Sequence, residues 1–254
     1  MPFIEAGNSR LYHEVHGEGP PVVLMHGVGG NHAGWFNQVP AFARRHRTVV
    51  IDQRGFGLST DAEGLGRSAM ADDLALVLDH LGIERAAIVA QSMSGGAAVN
   101  FACRHPGRVS ALVMADTAQG IALSPDLAAI QAEAMKAGEA LTPIERVFGP
   151  SFLAAEPSLA FLYRQISGFN RYNARSITGA FPLNAPEALA ATGIPILFLA
   201  GAEERRFPVP LLRGVQAQVA GSRFVLIERA GHSVYFERPD AFNEVVLGFL
   251  AEAA

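Results

Sequence analysis

Six short apolar runs recur along this 254-residue chain: PVVLM (21–25), TVVI (48–51), AAIVA (86–90), VSALVMA (109–115), IPILFLA (194–200) and RFVLIE (223–228). Each is compact and rich in β-branched residues, the pattern of a strand buried on both faces. Between most of them lie stretches of helical length. In SAMADDLALVLDHLG, Leu74, Val77, Leu78 and Leu81 follow the i, i+3, i+4, i+7 stripe of an amphipathic helix, and Gly82 suits its C-cap. This alternation predicts an α/β fold, a mostly parallel sheet with helices on both faces. FIEA and RLYHEV, around Gly7 and Asn8, read as an antiparallel hairpin at one edge and bring the expected sheet to about eight strands.

One interval breaks the rhythm. Between Asp116 and Ile194 there is no strand signal, only helical pieces rich in Ala, Leu and Phe with proline breaks. A helical cap inserted after the sixth strand is the expected reading, with residues 118–185 as the cap and residues 1–117 and 186–254 as the main domain.

Composition sets limits on function. With 50% hydrophobic and 17% charged residues, a chain of this length buries a large core. A formal net charge of -4 gives no basic surplus for nucleic acid or an anionic membrane. Cys103 is the only cysteine, which excludes an internal disulfide. The N-terminal stretch MPFIEAGNSRLYHEV lacks a basic segment followed by an apolar one, and no later apolar run nears 18 residues, so a cytoplasmic location is expected. No His, Cys, Asp and Glu pattern suggests a metal site.

AQSMSGG (90–96) offers two serines two positions apart. A nucleophilic serine at a strand-to-helix turn must follow its strand directly, because the tight bend then lifts the hydroxyl clear of the sheet edge. AAIVA ends at Ala90 and a helix GGAAVNFACRH follows, so Ser92 occupies the bend and Ser94 falls in the helix's first turn. The helix N-terminus would also present amides to a developing oxyanion.

HGVGG (26–30), DQRGFGLS (52–59), AQSMSGG (90–96), RHPGRV (104–109), GAEE (201–204) and AGH (230–232) occur in an order and spacing that resemble the α/β-hydrolase superfamily, specifically its small capped esterase, lactonase and carbon-carbon hydrolase branch. The resemblance spans nearly the whole chain. Ala90 and Ser94 depart from it, standing where glycine is common. The resemblance implies His232 as base and Glu204 as the acid that orients it, with Glu203 and Asp116 as alternative acids. It also implies the backbone N–H groups of Val28 and Met93 as oxyanion donors. Asp52 and Arg54 read as loop-shaping residues and His26 as a support for the HGVGG loop. The aromatic-rich cap and its surroundings suggest Trp35, His32, Phe161 and Tyr235 as substrate contacts; Arg205 and Arg206 read as solvated loop cations.

The function expected on these grounds is cofactor-free, two-step acyl transfer to water, with a small ester or lactone as substrate. A homodimer is the one macromolecular association allowed for. Carbon-carbon hydrolysis of a dienoate or β-diketone uses the same residues. Cofactor-independent oxygenation or perhydrolysis and a slow-turnover ligand receptor are the more distant readings.

Overall fold

A computed structural model describes residues 2–253. Its eight strands are β1 (Phe3–Ala6), β2 (Ser9–His16), β3 (Pro21–Met25), β4 (Arg47–Ile51), β5 (Ala86–Gln91), β6 (Val109–Ala115), β7 (Ile196–Gly201) and β8 (Arg223–Ile227). They form one sheet in the order β1-β2-β4-β3-β5-β6-β7-β8. The first two strands are antiparallel, β2 also runs antiparallel to β4, and every pair from β4 to β8 is parallel.

The helices are α1 (Gln38–Phe42), α2 (Met70–His80), α3 (Ser94–Arg104), α4 (Pro125–Gly138), α5 (Pro150–Ala155), α6 (Pro157–Gly168), α7 (Pro186–Ala190), α8 (Val209–Gln218), α9 (Val234–Glu237) and α10 (Pro239–Glu252). The continuous apolar strands are explained by a core on each side of the sheet. Val23, Met25, Ile88, Leu112 and Met114 face one cluster with side chains of α2, α3 and α8. Val22, Leu24, Val89, Val113 and Leu199 face the other, with Phe42 of α1 and Phe242 and Val246 of α10. Alternate residues of each strand thus enter opposite cores.

Helices α4 to α7 occupy the interval between β6 and β7, where the only strand-like pairing among the described residues is the isolated bridge Ile121–Asn184. No helix among the described residues is long and apolar enough to cross a membrane.

From β3 the chain steps outward to β4, and then returns to place β5 on β3's other side. The C-terminal ends of β3 and β5 therefore flank the point where strand order reverses, the crevice in which open α/β sheets bind ligands. HGVGG leaves β3 there and SMSGG leaves β5.

Candidate active site

Ser92 is the first residue after β5 and has φ +51°. A side chain in this left-handed region costs roughly 1–2 kcal/mol, and the neighbours hold it there. The Ser92 amide donates to the Ala115 carbonyl at 3.0 Å, and the Thr117 hydroxyl donates to the Ser92 carbonyl at 2.6 Å. Space in the bend is tight. A Cβ on Gly27 would lie 2.7 Å from the Ser92 Cβ, and one on Gly95 would lie 2.6 Å from the Thr117 side chain. The two serines separate cleanly: the Ser94 hydroxyl is buried against the carbonyls of Met25 (2.7 Å) and Gln91 (2.9 Å), which ties the start of α3 to the ends of β3 and β5.

His232 lies in the loop between β8 and α9, and Glu204 in the loop after β7. The Ser92 hydroxyl stands 2.7 Å from His232 Nε2, and His232 Nδ1 stands 2.5 Å from Glu204 Oε2. With Nδ1–H donating to the carboxylate, Nε2 is left to accept the serine proton. The other Glu204 oxygen accepts from the amides of Arg206 (2.5 Å) and Phe207 (3.2 Å), so the carboxylate is anchored on both sides. Phe207 stacks on the imidazole, with ring centroids 5.9 Å apart and planes at 23°. All three polar residues are buried.

The other two carboxylates are engaged elsewhere. Glu203 accepts from the Ser151 amide at 2.9 Å and from the Ser151 hydroxyl, fastening the loop to the start of α5. Asp116, fully buried with φ +50°, accepts from the amides of Gly201 (3.0 Å) and Val234 (3.3 Å). Burial, together with the charge of nearby Glu204, pushes its carboxyl well above the usual range.

The HGVGG loop is fixed from beneath by His26. Its Nδ1 lies 2.8 Å from the Gly27 carbonyl, and its Nε2 accepts from the Gln53 amide at 2.9 Å. Complete burial lowers its pKa, which keeps the ring neutral as this pattern of bonds requires. No acceptor among the described residues takes the N–H of Val28 or of Met93. Both residues line a pocket of about 330 Å³ above Ser92, together with Phe181, Phe207, Arg67 and Arg206.

None of the four residues expected to touch substrate lines that pocket. Trp35 and Tyr235 are 0% and 1% exposed, their rings 4.4 Å apart, and they fill the second core beside Phe242 instead. Phe161 is 60% exposed on α6. His32 is committed to Asp52 at 2.8 Å, and Asp52 also accepts the amides of His32 (2.6 Å) and Leu58 (2.8 Å). Periodicity marks such side chains as apolar or aromatic without saying which wall they meet. Arg206 departs in the other direction: its residue is exposed, yet it lines the pocket.

Three further residues shape the site. Asn170, from the segment after α6, donates to the Gly30 carbonyl at 3.1 Å and accepts from the Gly57 amide at 2.8 Å, joining two site loops. Arg54 makes a two-pronged bond to Asp73 of α2, at 2.6 and 2.8 Å. Glu237 of α9 accepts from the amides of Gly231, Ser233 and Gly149, bracketing the His232 loop. No sequence motif singles out Asn170 or Glu237.

Comparison with known proteins bears on the fold that carries these residues. Residues 20–145 match the family profile described as alpha/beta hydrolase fold. A protein of Azorhizobium caulinodans, provisionally assigned as the carbamate hydrolase RutD, is 27% identical over 99% of both chains. The 2-hydroxymuconate semialdehyde hydrolase of Pseudomonas sp. (strain CF600) is 29% identical over 99% of this chain and 93% of its own. A thermophilic esterase from Thermogutta terrifontis, with malate bound, superposes with a TM-score of 0.81 at 26% identity, over 98% of this chain and 96% of that one. The chain belongs to the α/β-hydrolase superfamily.

Proposed function

We propose that this protein is a serine hydrolase that cleaves a carboxylic ester or lactone through an acyl-enzyme. The observation that carries this reading is the unbroken chain from the Ser92 hydroxyl through His232 to Glu204. In the first step His232 Nε2 takes the serine proton while Oγ forms a bond to the carbonyl carbon. The oxyanion gathers on the free amides of Val28 and Met93, near the N-terminus of α3. The carbon–oxygen bond to the alcohol then breaks, and the alkoxide leaves with the proton held by His232. Water enters, gives a proton to His232 and a hydroxyl to the acyl carbon, and frees the acid and Ser92.

The second reading is hydrolysis of a carbon-carbon bond beside a ketone, favoured by the likeness to the semialdehyde hydrolase over nearly the whole chain. Activity on a vinylogous 1,5-diketone together with inertness toward simple esters would establish it in place of the ester reading.

The test is labelling with a fluorophosphonate followed by peptide mapping. Stoichiometric labelling at Ser92, absent from folded Ser92→Ala, together with a loss of about 10³-fold or more in ester turnover for that variant, is the expected result. An intact Ser92 peptide in a protein that still turns over esters would sink the proposal.

A further inference from the structure

The pocket above Ser92 is lined by two arginines and by no acidic residue. Arg67 reaches it from the loop preceding α2, and Arg206 from the loop that carries Glu204. Among the described residues, neither has an Asp or Glu partner within 4.0 Å. Most arginines of the chain are unpaired in this way, only Arg54, Arg104, Arg108 and Arg223 having such a partner among the described residues; what sets Arg67 and Arg206 apart is that both line the pocket above Ser92. Among the described residues, the side chain of Arg67 makes one long bond, 3.3 Å to the Ile177 carbonyl, and that of Arg206 makes none.

The carboxylate two residues before Arg206 is fully used: Glu204 gives one oxygen to His232 and the other to the amides of Arg206 and Phe207. Partial burial, and then the charge of Arg206, push the Arg67 pKa down, so the two cations sense each other across the pocket. An anion bound between or beside the two would accept charge-assisted hydrogen bonds from both guanidinium groups. Across the wall formed by Gln119, Arg206 and Phe207 lies a second pocket of about 230 Å³. It adds Arg146 and Arg205 with one acid, Glu139, so the Arg206 side of the site is positive on both flanks.

We propose that Arg67 and Arg206 form a carboxylate-recognition site, and that the natural substrate is an anionic ester, lactone or ketone carrying a carboxylate a few atoms from the scissile carbonyl. The inference deepens the serine-hydrolase reading, because it names what the pocket beside Ser92 selects. At about 330 Å³ the pocket is at the small end for ligand sites, which matches a short acyl or alcohol group rather than a long chain. Arg206 would also couple recognition to catalysis: its amide holds the carboxylate that bonds His232, while the same residue lines the pocket above Ser92.

Two matched substrate pairs test this, because the charge can sit on either side of the ester. Mono-p-nitrophenyl succinate is compared with p-nitrophenyl butyrate, and 3-(butanoyloxy)propanoate with propyl butanoate, in the wild type, Arg67→Gln, Arg206→Gln and Arg206→Lys. In one pair the anionic member should lead by about tenfold or more in kcat/KM. That ratio should fall about tenfold in each Gln variant and be partly kept by Arg206→Lys. Hydrolysis at Ser92 with no anionic preference in either pair overturns the inference and leaves the hydrolase reading standing. If no ester is turned over and fluorophosphonate leaves Ser92 unlabelled, the hydrolase reading fails, and calorimetric titration with glutarate then decides the arginine site alone. Saturable binding lost in both Gln variants supports it, and no saturable binding to the wild type overturns it.

Discussion

The side-chain amide of Gln91 donates to the backbone carbonyl of His232 at 2.7 Å, linking the residue before the elbow serine to the residue that would accept the serine proton. Gln91 Oε1 is also packed against the HGVGG loop, since a Cβ on Gly27 would approach it to 2.3 Å. Gln91 therefore stands between the loop bearing the candidate oxyanion donors and the loop bearing the candidate base. A bond of this kind sets distance and angle between groups supplied by different strands, and small misplacements are costly in catalysis. Gln91→Ala should lower kcat by about tenfold with KM little changed. Steady-state kinetics on a p-nitrophenyl ester checks this; an unchanged kcat would mean that the bonds from Glu237, Asp116 and Glu204 hold the His232 loop without Gln91.

The acid assignment has its own test. Glu204→Gln places an amide against His232 Nδ1, weakens the charge-assisted bond and disturbs the tautomer, so turnover should fall by about 10²-fold or more. Asp116→Asn removes a carboxylate bonded only to the Gly201 and Val234 amides. Its cost should appear mainly in stability, of roughly 1–3 kcal/mol, because one buried amide loses its acceptor. Paired kcat and thermal unfolding measurements distinguish the two. A larger kcat loss for Asp116→Asn than for Glu204→Gln would reverse the assignment.

The frame of this fold was legible because its signals are local. Strands buried on both faces must be apolar at consecutive positions, and the order of motifs follows the order of strands. Ser92 was legible too, since only a residue directly after β5 can occupy the bend. The pocket walls were not. Trp35 and Tyr235 look like ligand-facing aromatics near the site loops, but they meet each other in the core. Arg206 looks like one of two solvated cations, and only the turn after Glu204 brings it to the pocket. Contacts such as Asn170 with Gly30, or Gln91 with His232, join residues 140 and 141 positions apart and leave no periodic trace.

His32 and Asp52 give a pH dependence with a definite sign. Partial burial lowers the pKa of His32, but the hydrogen bond and charge of Asp52 outweigh it and leave the pKa raised above 6.5. A base whose folded pKa is raised binds more protons folded than unfolded. Its contribution is therefore complete below about 6.5 and is lost as pH rises through the folded value. The Tm difference between wild type and His32→Gln should be largest near pH 5.5 and shrink by about pH 8.5. A difference that grows with pH across this range would mean that the ring supports the loop in its neutral form.

The left-handed conformation of Ser92 sets stability against activity at one residue. Glycine adopts φ near +51° without the Cβ penalty, so Ser92→Gly should relieve roughly 1 kcal/mol of backbone strain. It also deletes the hydroxyl that bonds His232, a loss of about the same size or smaller, because His232 keeps its partner in Glu204. Ser92→Ala loses that hydroxyl as well but keeps the Cβ and the strain. The two variants should thus be equally inactive, while Ser92→Gly unfolds at the higher temperature of the two, by a few degrees for a chain of this size. Thermal scans of both proteins side by side make the comparison. Equal Tm values would show that the surrounding bonds from Ala115 and Thr117 leave no strain at the bend for glycine to relieve.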